Sequence, residues 1–244
     1  MRINKFISSC GVCSRRKAEE FITNKMVKVN GKVVTDLATD INEQNDKVMI
    51  NDVQISLSQE NVYYMLNKPK GYVTTMSDDR DRKSIQDLIS DLDKRVFPVG
   101  RLDYETEGLL FLTNDGDLTY VLSHPKFCVP KTYVVKVEGE VKESEMAVLR
   151  AGIVVDGERF GKCKVKLMSF KDNISKLEVT IFEGKNREIR RMFEFIHREV
   201  IFLKRVAMAG IKLGGLMRGE KRPLKEFEIN QLKALMKDPD KMAN

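Results

Sequence analysis

The sequence predicts an α+β fold: a small N-terminal α+β module, then a larger mixed, mainly antiparallel β-sheet with peripheral helices. Three observations predict it. Two short stretches with helical apolar spacing precede an Asn-Gly hairpin signal within residues 1–34. Beyond residue 61, strand-like runs outnumber helical ones and do not alternate regularly with them, which argues against a parallel α/β design. The charge pattern also changes between these parts: residues 1–32 are basic, and residues 33–60 are acidic.

In order along the chain, Ile3, Phe6, Ile7 and Cys10 lie at i, i+3, i+4 and i+7, one buried face of a helix that Gly11 ends. Ser14 caps a second helix, in which Ala18, Phe21 and Ile22 face inward while Arg15, Arg16 and Lys17 occupy an exposed first turn. "MVKVNGKVV" (26–34) alternates about Asn30-Gly31, a hairpin with positive-φ turn residues. A polar joint, "LSQEN", follows. Next come "VYYMLNKPKGYVTT" (strand, turn, strand), a short helix in "SIQDLISDL", and strands in "RVFPVG" and "LLFLTNDG". "DLTYVLSH" reads as a brief helix stopped by Pro125, "KTYVVKVEG" as an alternating strand, "KESEMAVLRAG" as a helix and "KLEVTIFEG" as a strand. A helix over Glu188–Ile196, strands in "VIFLKRVAMAGIKL" and "EFEI", and a closing helix from about Asn230 complete the chain. The expected division is a domain at 1–58, a linker at 59–61, a second domain at 62–237 and a polar tail at 238–244.

Composition narrows the function. A hydrophobic fraction of 42% supports a packed core, and no window approaches eighteen consecutive apolar residues, so no membrane span is expected. The N-terminus, polar again by Asn4, does not fit a secretory signal, and the expected location is cytoplasmic. The net charge of +7 is clustered: Arg2, Lys5, Arg15, Arg16, Lys17, Lys25, Lys28 and Lys32 face only Glu19 and Glu20 in the first 32 residues. Clustered cations on a small module point to nucleic acid. Cys10 and Cys13 form one CxxC with no second pair at zinc spacing, so no metal site is expected.

The chemistry concentrates in "GRLDYETEGLLFLTNDG" (100–116), which places Asp103, Glu105, Glu107 and Asp115 in a basic chain. A calcium loop lacks its pattern here, and "GKNREIRRM" (184–192) lacks the upstream glycine and the Ser/Thr of a phosphate loop. A two-carboxylate glycosidase pair and a plain solvated loop remain open on these residues alone.

Four motifs in series decide between them. "NKPKGYVTT", "VFPVGRLDYETEGLLFLTNDG", "KTYVVKVEG" and "EGKNREIRRMFE" resemble, in order and spacing, the pseudouridine synthases that act on ribosomal RNA and carry an N-terminal S4-type RNA-binding domain. "SRRKAEEFI" and "KVNGKVV" are similar to that S4 domain. The wording "VFPVGRLDYETEGLL" looks more like the large-subunit enzymes than the small-subunit one. The resemblance implies isomerisation of uridine to pseudouridine in ribosomal RNA, free or in a precursor particle, with no cofactor, metal, membrane or obligatory protein partner. It assigns Asp103 as the nucleophile, Arg190 as the guanidinium that keeps it ionised, and Tyr133 as the ring on which the flipped base stacks. Leu213 is expected on the other side of the base, Arg101 in the vacated stack or on a phosphate, and Lys68, Lys70 and Arg187 against RNA. Arg2, Lys5, Arg15, Arg16 and Lys17 are the expected contacts of the N-terminal domain. Glu188 departs from the usual glutamine; it is expected near RNA or paired with Arg187 or Arg191. The alternatives are a small-subunit synthase and a non-catalytic rRNA-binding assembly factor.

Overall fold

Ile3, Phe6 and Ile7 are buried on α1 (Ile3–Ser9), and Ala18 and Ile22 on α2 (Arg15–Thr23), as their spacing requires. Ser14 accepts a hydrogen bond from the Lys17 amide at the start of α2, and Gly11 adopts φ +79° after α1. The hairpin of β1 (Val27–Val29) and β2 (Lys32–Val33) turns through Asn30 and Gly31, both at positive φ. β1 also pairs with β3 (Val48–Ile50), which pairs with β4 (Val53–Ile55), giving a four-stranded sheet in the order β2-β1-β3-β4. The sequence missed β3 and β4. Ile3, Phe6, Ile7, Ala18, Ile22, Val27, Ile41, Val48 and Ile50 form one core.

The computed structural model describes residues 1–57, 60–78 and 80–237. The expected linker lies partly, and the expected polar tail wholly, outside the described residues. The chain divides into two units: residues 1–62 with 93–96 and 114–116, and the remainder.

The larger unit holds β5 (Tyr63–Lys68), α3 (Ile85–Ile89), β6 (Phe97–Pro98), β7 (Glu107–Thr113), α4 (Gly116–Ser123) and β8 (Lys131–Glu138). After these come α5 (Glu143–Ala151), β9 (Ile153–Val155), β10 (Glu158–Phe160), β11 (Lys164–Lys171) and β12 (Ile174–Ile181). It closes with α6 (Glu188–Phe195), β13 (Val200–Met208), β14 (Ile211–Lys212), β15 (Lys221–Pro223) and α7 (Glu226–Lys237). Its main sheet runs β11-β12-β8-β13-β7-β5-β15, with β14 on β13 and β6 on β7. Among the described residues every strand pairing of this sheet is antiparallel except β13 with β7. The mixed, mainly antiparallel α+β architecture is therefore the observed one.

Burial follows strand position. Central β7 is buried throughout, whereas β8 alternates, with Lys131, Tyr133, Val135 and Val137 on its buried face. Residues of α4 and α7 pack with β5, β7 and Met208 into one core. Two expectations fail. "YVTT" forms no strand: only a single bridge joins Val73 to Ser84, because Thr74 is used to hold a loop. "EFEI" begins α7 rather than a strand; buried Glu228 turns back to accept from the Lys225 amide and pairs with Arg222 at 2.7 Å. β9, β10 and β11 were also missed.

Candidate active site

A single loop, Gly100–Thr106, runs between β6 and β7, and three groups from the "NKPKGYVTT" motif clamp it. Thr74 Oγ1 donates to the Leu102 carbonyl at 2.7 Å and accepts from the Leu102 amide at 3.2 Å. The Gly71 amide donates to the Tyr104 carbonyl at 2.9 Å. Beneath the loop, Lys68 Nζ donates to the carbonyls of Pro69, Asp103 and Thr106 at 3.0, 3.1 and 3.0 Å. A tight turn closes it from the Thr106 amide to the Asp103 carbonyl at 3.0 Å. The two motifs travel together because one holds the other.

Lys68 is 0% exposed, and burial pushes its ammonium down to about 8 against the opposing charges of Asp103, Glu105 and Glu107. Its expected contact with RNA is thereby corrected: the side chain has turned inward to satisfy loop carbonyls. Lys70, two residues on, is exposed and pairs with Glu105 at 2.5 Å.

The loop forms one wall of a cleft of ≈ 310 Å³. Asp103 and Arg101 line it from the loop, Tyr133 and Lys131 from β8, Arg205 and Leu203 from β13, and Lys185, Arg187 and Glu188 from the start of α6. Asp103 is half-buried, whereas Arg101 and Arg187 are exposed at the rim. Tyr133 is buried; desolvation raises its phenol pKa, opposed by the neighbouring Arg205 guanidinium, so the hydroxyl stays protonated at neutral pH.

Arg190 stands behind this wall. It lines an adjoining pocket with Lys70, Glu105 and Glu107, and donates to the carbonyls of Val200 at 2.9 Å and Glu105 at 3.3 Å. Among the described residues no ion pair within 4.0 Å joins it to Asp103. Burial lowers its pKa and Arg187 adds to this, while the charges of Asp103 and Glu105 oppose them, so the coupling to Asp103 is through space.

Two other expectations change. Leu213 is 4% exposed and is not among the residues lining the cleft: it directly follows β14 and belongs to the apolar core that also holds residues of β5 and α7. Glu188 pairs with neither Arg187 nor Arg191 among the described residues. Its carboxylate turns under the preceding loop and accepts from the amides of Gly184 and Lys185, both at 2.7 Å. Burial raises its pKa against these bonds. Arg191 pairs instead with Glu158 and, at 3.8 Å, with Asp156.

The sequence missed Arg205 and Lys131 as cleft residues. Lys131 opens the "KTY" motif, so its place in that run was available as a signal; Arg205, in "FLKRVAM", had none. On the N-terminal unit, Arg15, Arg16 and Lys17 are exposed, and Lys17 pairs with Glu20 at 2.6 Å. Arg2 is held by the Ala38 carbonyl and by Asp40 at 3.6 Å, and Lys5 is half-buried.

Among the described residues no group of His, Cys, Asp and Glu could hold a metal ion, and no helix is long and apolar enough to cross a membrane. Residues 62–195 match the RNA pseudouridylate synthase family, and residues 1–48 match the S4 domain. The chain is 43% identical to the ribosomal large subunit pseudouridine synthase B of Bacillus subtilis over 96% of both chains. It is 36% identical to the dual-specificity RNA pseudouridine synthase RluF of Escherichia coli K12, over 98% of this chain and 80% of that one. A crystal structure of a pseudouridylate synthase superimposes with a TM-score of 0.69 at 31% identity, covering 95% of this chain and 99% of the other. A clamped aspartate loop facing a buried tyrosine, in a chain that matches these relatives almost end to end, places this protein in the RNA pseudouridine synthase family, with an S4 domain ahead of the synthase domain.

Proposed function

We propose that this enzyme isomerises a uridine of ribosomal RNA, of the large subunit by its likeness to the Bacillus subtilis relative, and that it works in the cytoplasm. The observation that carries the assignment of roles is the convergence of Asp103 and Tyr133 on one cleft with exposed arginines at its rim.

The reaction breaks the bond from ribose to a ring nitrogen and makes one from ribose to a ring carbon. The carbon loses a proton and the nitrogen gains one, so nothing is consumed. Asp103 supplies the carboxylate that attacks the nucleotide, and its loop is clamped so that the group is already placed when substrate arrives. Tyr133 stacks on the extruded base, and its protonated hydroxyl assists the late transfer of the ring-carbon proton. Arg190, across the wall, balances the charge of Asp103 through space. Arg101 and Arg187 hold phosphates at the rim, Lys70 lies along the same path, and the base reaches the cleft by leaving its stack. The N-terminal unit docks the RNA through Arg15, Arg16 and Lys17, with Arg2 and Lys5 alongside.

Incubation with a large-subunit rRNA transcript should convert a uridine, detected by carbodiimide labelling and primer extension. Asp103→Asn should abolish conversion and leave RNA binding nearly unchanged. Full activity in that variant would remove Asp103 from the chemistry. Conversion only on small-subunit RNA would move the substrate to that subunit, and no conversion on any rRNA would favour an assembly factor.

A further inference from the structure

Two buried cations occupy the cleft without a carboxylate partner. Arg205 is 2% exposed and Lys131 is 7% exposed, and both line the cleft with Asp103 and Tyr133. Among the described residues neither has an ion pair within 4.0 Å. Lys131 is satisfied by carbonyls, donating to Val129 at 3.0 Å and Glu183 at 3.3 Å, and the Glu188 charge also faces it. Arg205 is not. Its Nε donates to the Leu109 carbonyl at 2.7 Å, but its buried Nη2 has no hydrogen-bond partner among the described residues. Leaving a buried guanidinium donor unpaired is costly, so an acceptor that arrives with the substrate is the natural explanation.

The backbone holds this donor rigidly. Arg205 pairs with Tyr133 on one side and with Gly108, in the sheet's parallel pairing, on the other. That approach is close: a Cβ at Gly108 would lie 2.2 Å from the Arg205 carbonyl oxygen. The Arg205 backbone is thus fixed between β7, which directly follows the aspartate loop, and the tyrosine-bearing strand β8.

We propose that Arg205 is a further catalytic residue, whose Nη2 donates to a carbonyl oxygen of the extruded uracil and stabilises the negative charge the base takes on as its bond to ribose breaks. This rests on the reading of the cleft as the uridine site. A base detached with the bonding electron pair is an anion whose charge spreads onto its carbonyl oxygens, and a fixed, always-protonated guanidinium in a buried site is suited to meet it. A phosphate is the poorer fit for Arg205, because the exposed rim arginines, Arg101 and Arg187, take that role without burying a phosphodiester.

The test is single-turnover conversion of a large-subunit rRNA fragment by the full-length enzyme, alongside binding of the same fragment and thermal unfolding. Arg205→Gln is expected to slow conversion roughly a hundredfold. Its RNA affinity should stay within about twofold, and Arg205→Lys should recover part of the rate. Replacing one of the two carbonyl oxygens of the target uracil by sulfur, a weaker acceptor, should slow the wild type and add no further penalty in Arg205→Gln. The sulfur substrates are informative on the wild type alone, even where Arg205→Gln does not fold. A wild-type rate indifferent to sulfur at both positions overturns the proposal, as does a folded Arg205→Gln enzyme at full rate or one whose loss lies wholly in affinity. Undiminished conversion by Asp103→Asn, or none by the wild type, overturns the underlying reading of the cleft instead.

Discussion

The ammonium of Lys68 donates a 3.1 Å hydrogen bond to the main-chain carbonyl of Asp103 and two more to its neighbours Pro69 and Thr106, so a buried cation holds the loop that presents the carboxylate. Lys68→Met keeps the stem and removes the bonds. Conversion should fall by about ten- to a hundredfold, since a small displacement of a reacting group has that cost. RNA affinity should hardly change, because the side chain does not reach solvent. A filter-binding loss as large as the rate loss would argue for direct RNA contact.

Lys68 and Lys131 are both pushed by burial to about 8 from an ordinary 10.5. Below pH 8 both are charged whether folded or unfolded, and the cost of burying them is fully present. Between about pH 8 and 10.5 the unfolded chain binds more protons, so stability from this source rises with pH, by at most about 1.4 kcal/mol per pH unit for each group. Urea unfolding of the wild type and of Lys68→Met across pH 8 to 10 should show a shallower rise in the variant. Equal slopes would contradict this.

Burial raises the pKa of Glu188, so its charged carboxylate carries a desolvation cost. A glutamine oxygen can accept the same two amide bonds, from Gly184 and Lys185, without that charge. Glu188→Gln should therefore melt at or above the wild-type temperature at pH 7, and the difference should shrink as the pH falls and the wild-type carboxyl protonates. Glu188→Leu, which keeps neither bond, should be destabilised by about 2–4 kcal/mol. A lower melting temperature for the glutamine variant would show that the charge itself is needed.

Gly108 combines φ +110° with the Arg205 backbone where a side chain would stand. Gly108→Ala must separate β7 from β13, the only parallel pairing of the main sheet among the described residues. The expected loss is more than about 4 kcal/mol, seen as aggregation or an unfolded circular dichroism spectrum. A normal melting temperature would mean the two strands can part without cost.

Arg15, Arg16 and Lys17 stand in the exposed first turn of α2. Changing all three to Ala should weaken rRNA binding and reduce the slope of log affinity against log salt by about two to three. The three side chains lie outside the core of their unit, so its stability should stay within about 0.5 kcal/mol of the wild type. An unchanged salt slope would remove this turn from the RNA interface.

What the sequence determined by itself was local. Apolar spacing placed α1, α2 and α6, Asn30-Gly31 placed the first hairpin, and period-two alternation placed β8. The run from Gly100 to Gly116 was legible as the place where the chemistry concentrates, but the choice of Asp103 within it came from the resemblance of the four motifs in series. Tertiary structure alone decided which charges turn inward. Lys68 finds carbonyls 35 residues away, Arg205 meets a carbonyl 96 residues away, and Glu188 closes a loop that would otherwise leave two amides unpaired. In a turn, on a strand or at a helix start, such residues have the same local signal whether they face water or the core. Only the long-range pairing of strands supplies the acceptors and donors that make burial of a charge tolerable, and that pairing is written in no single segment.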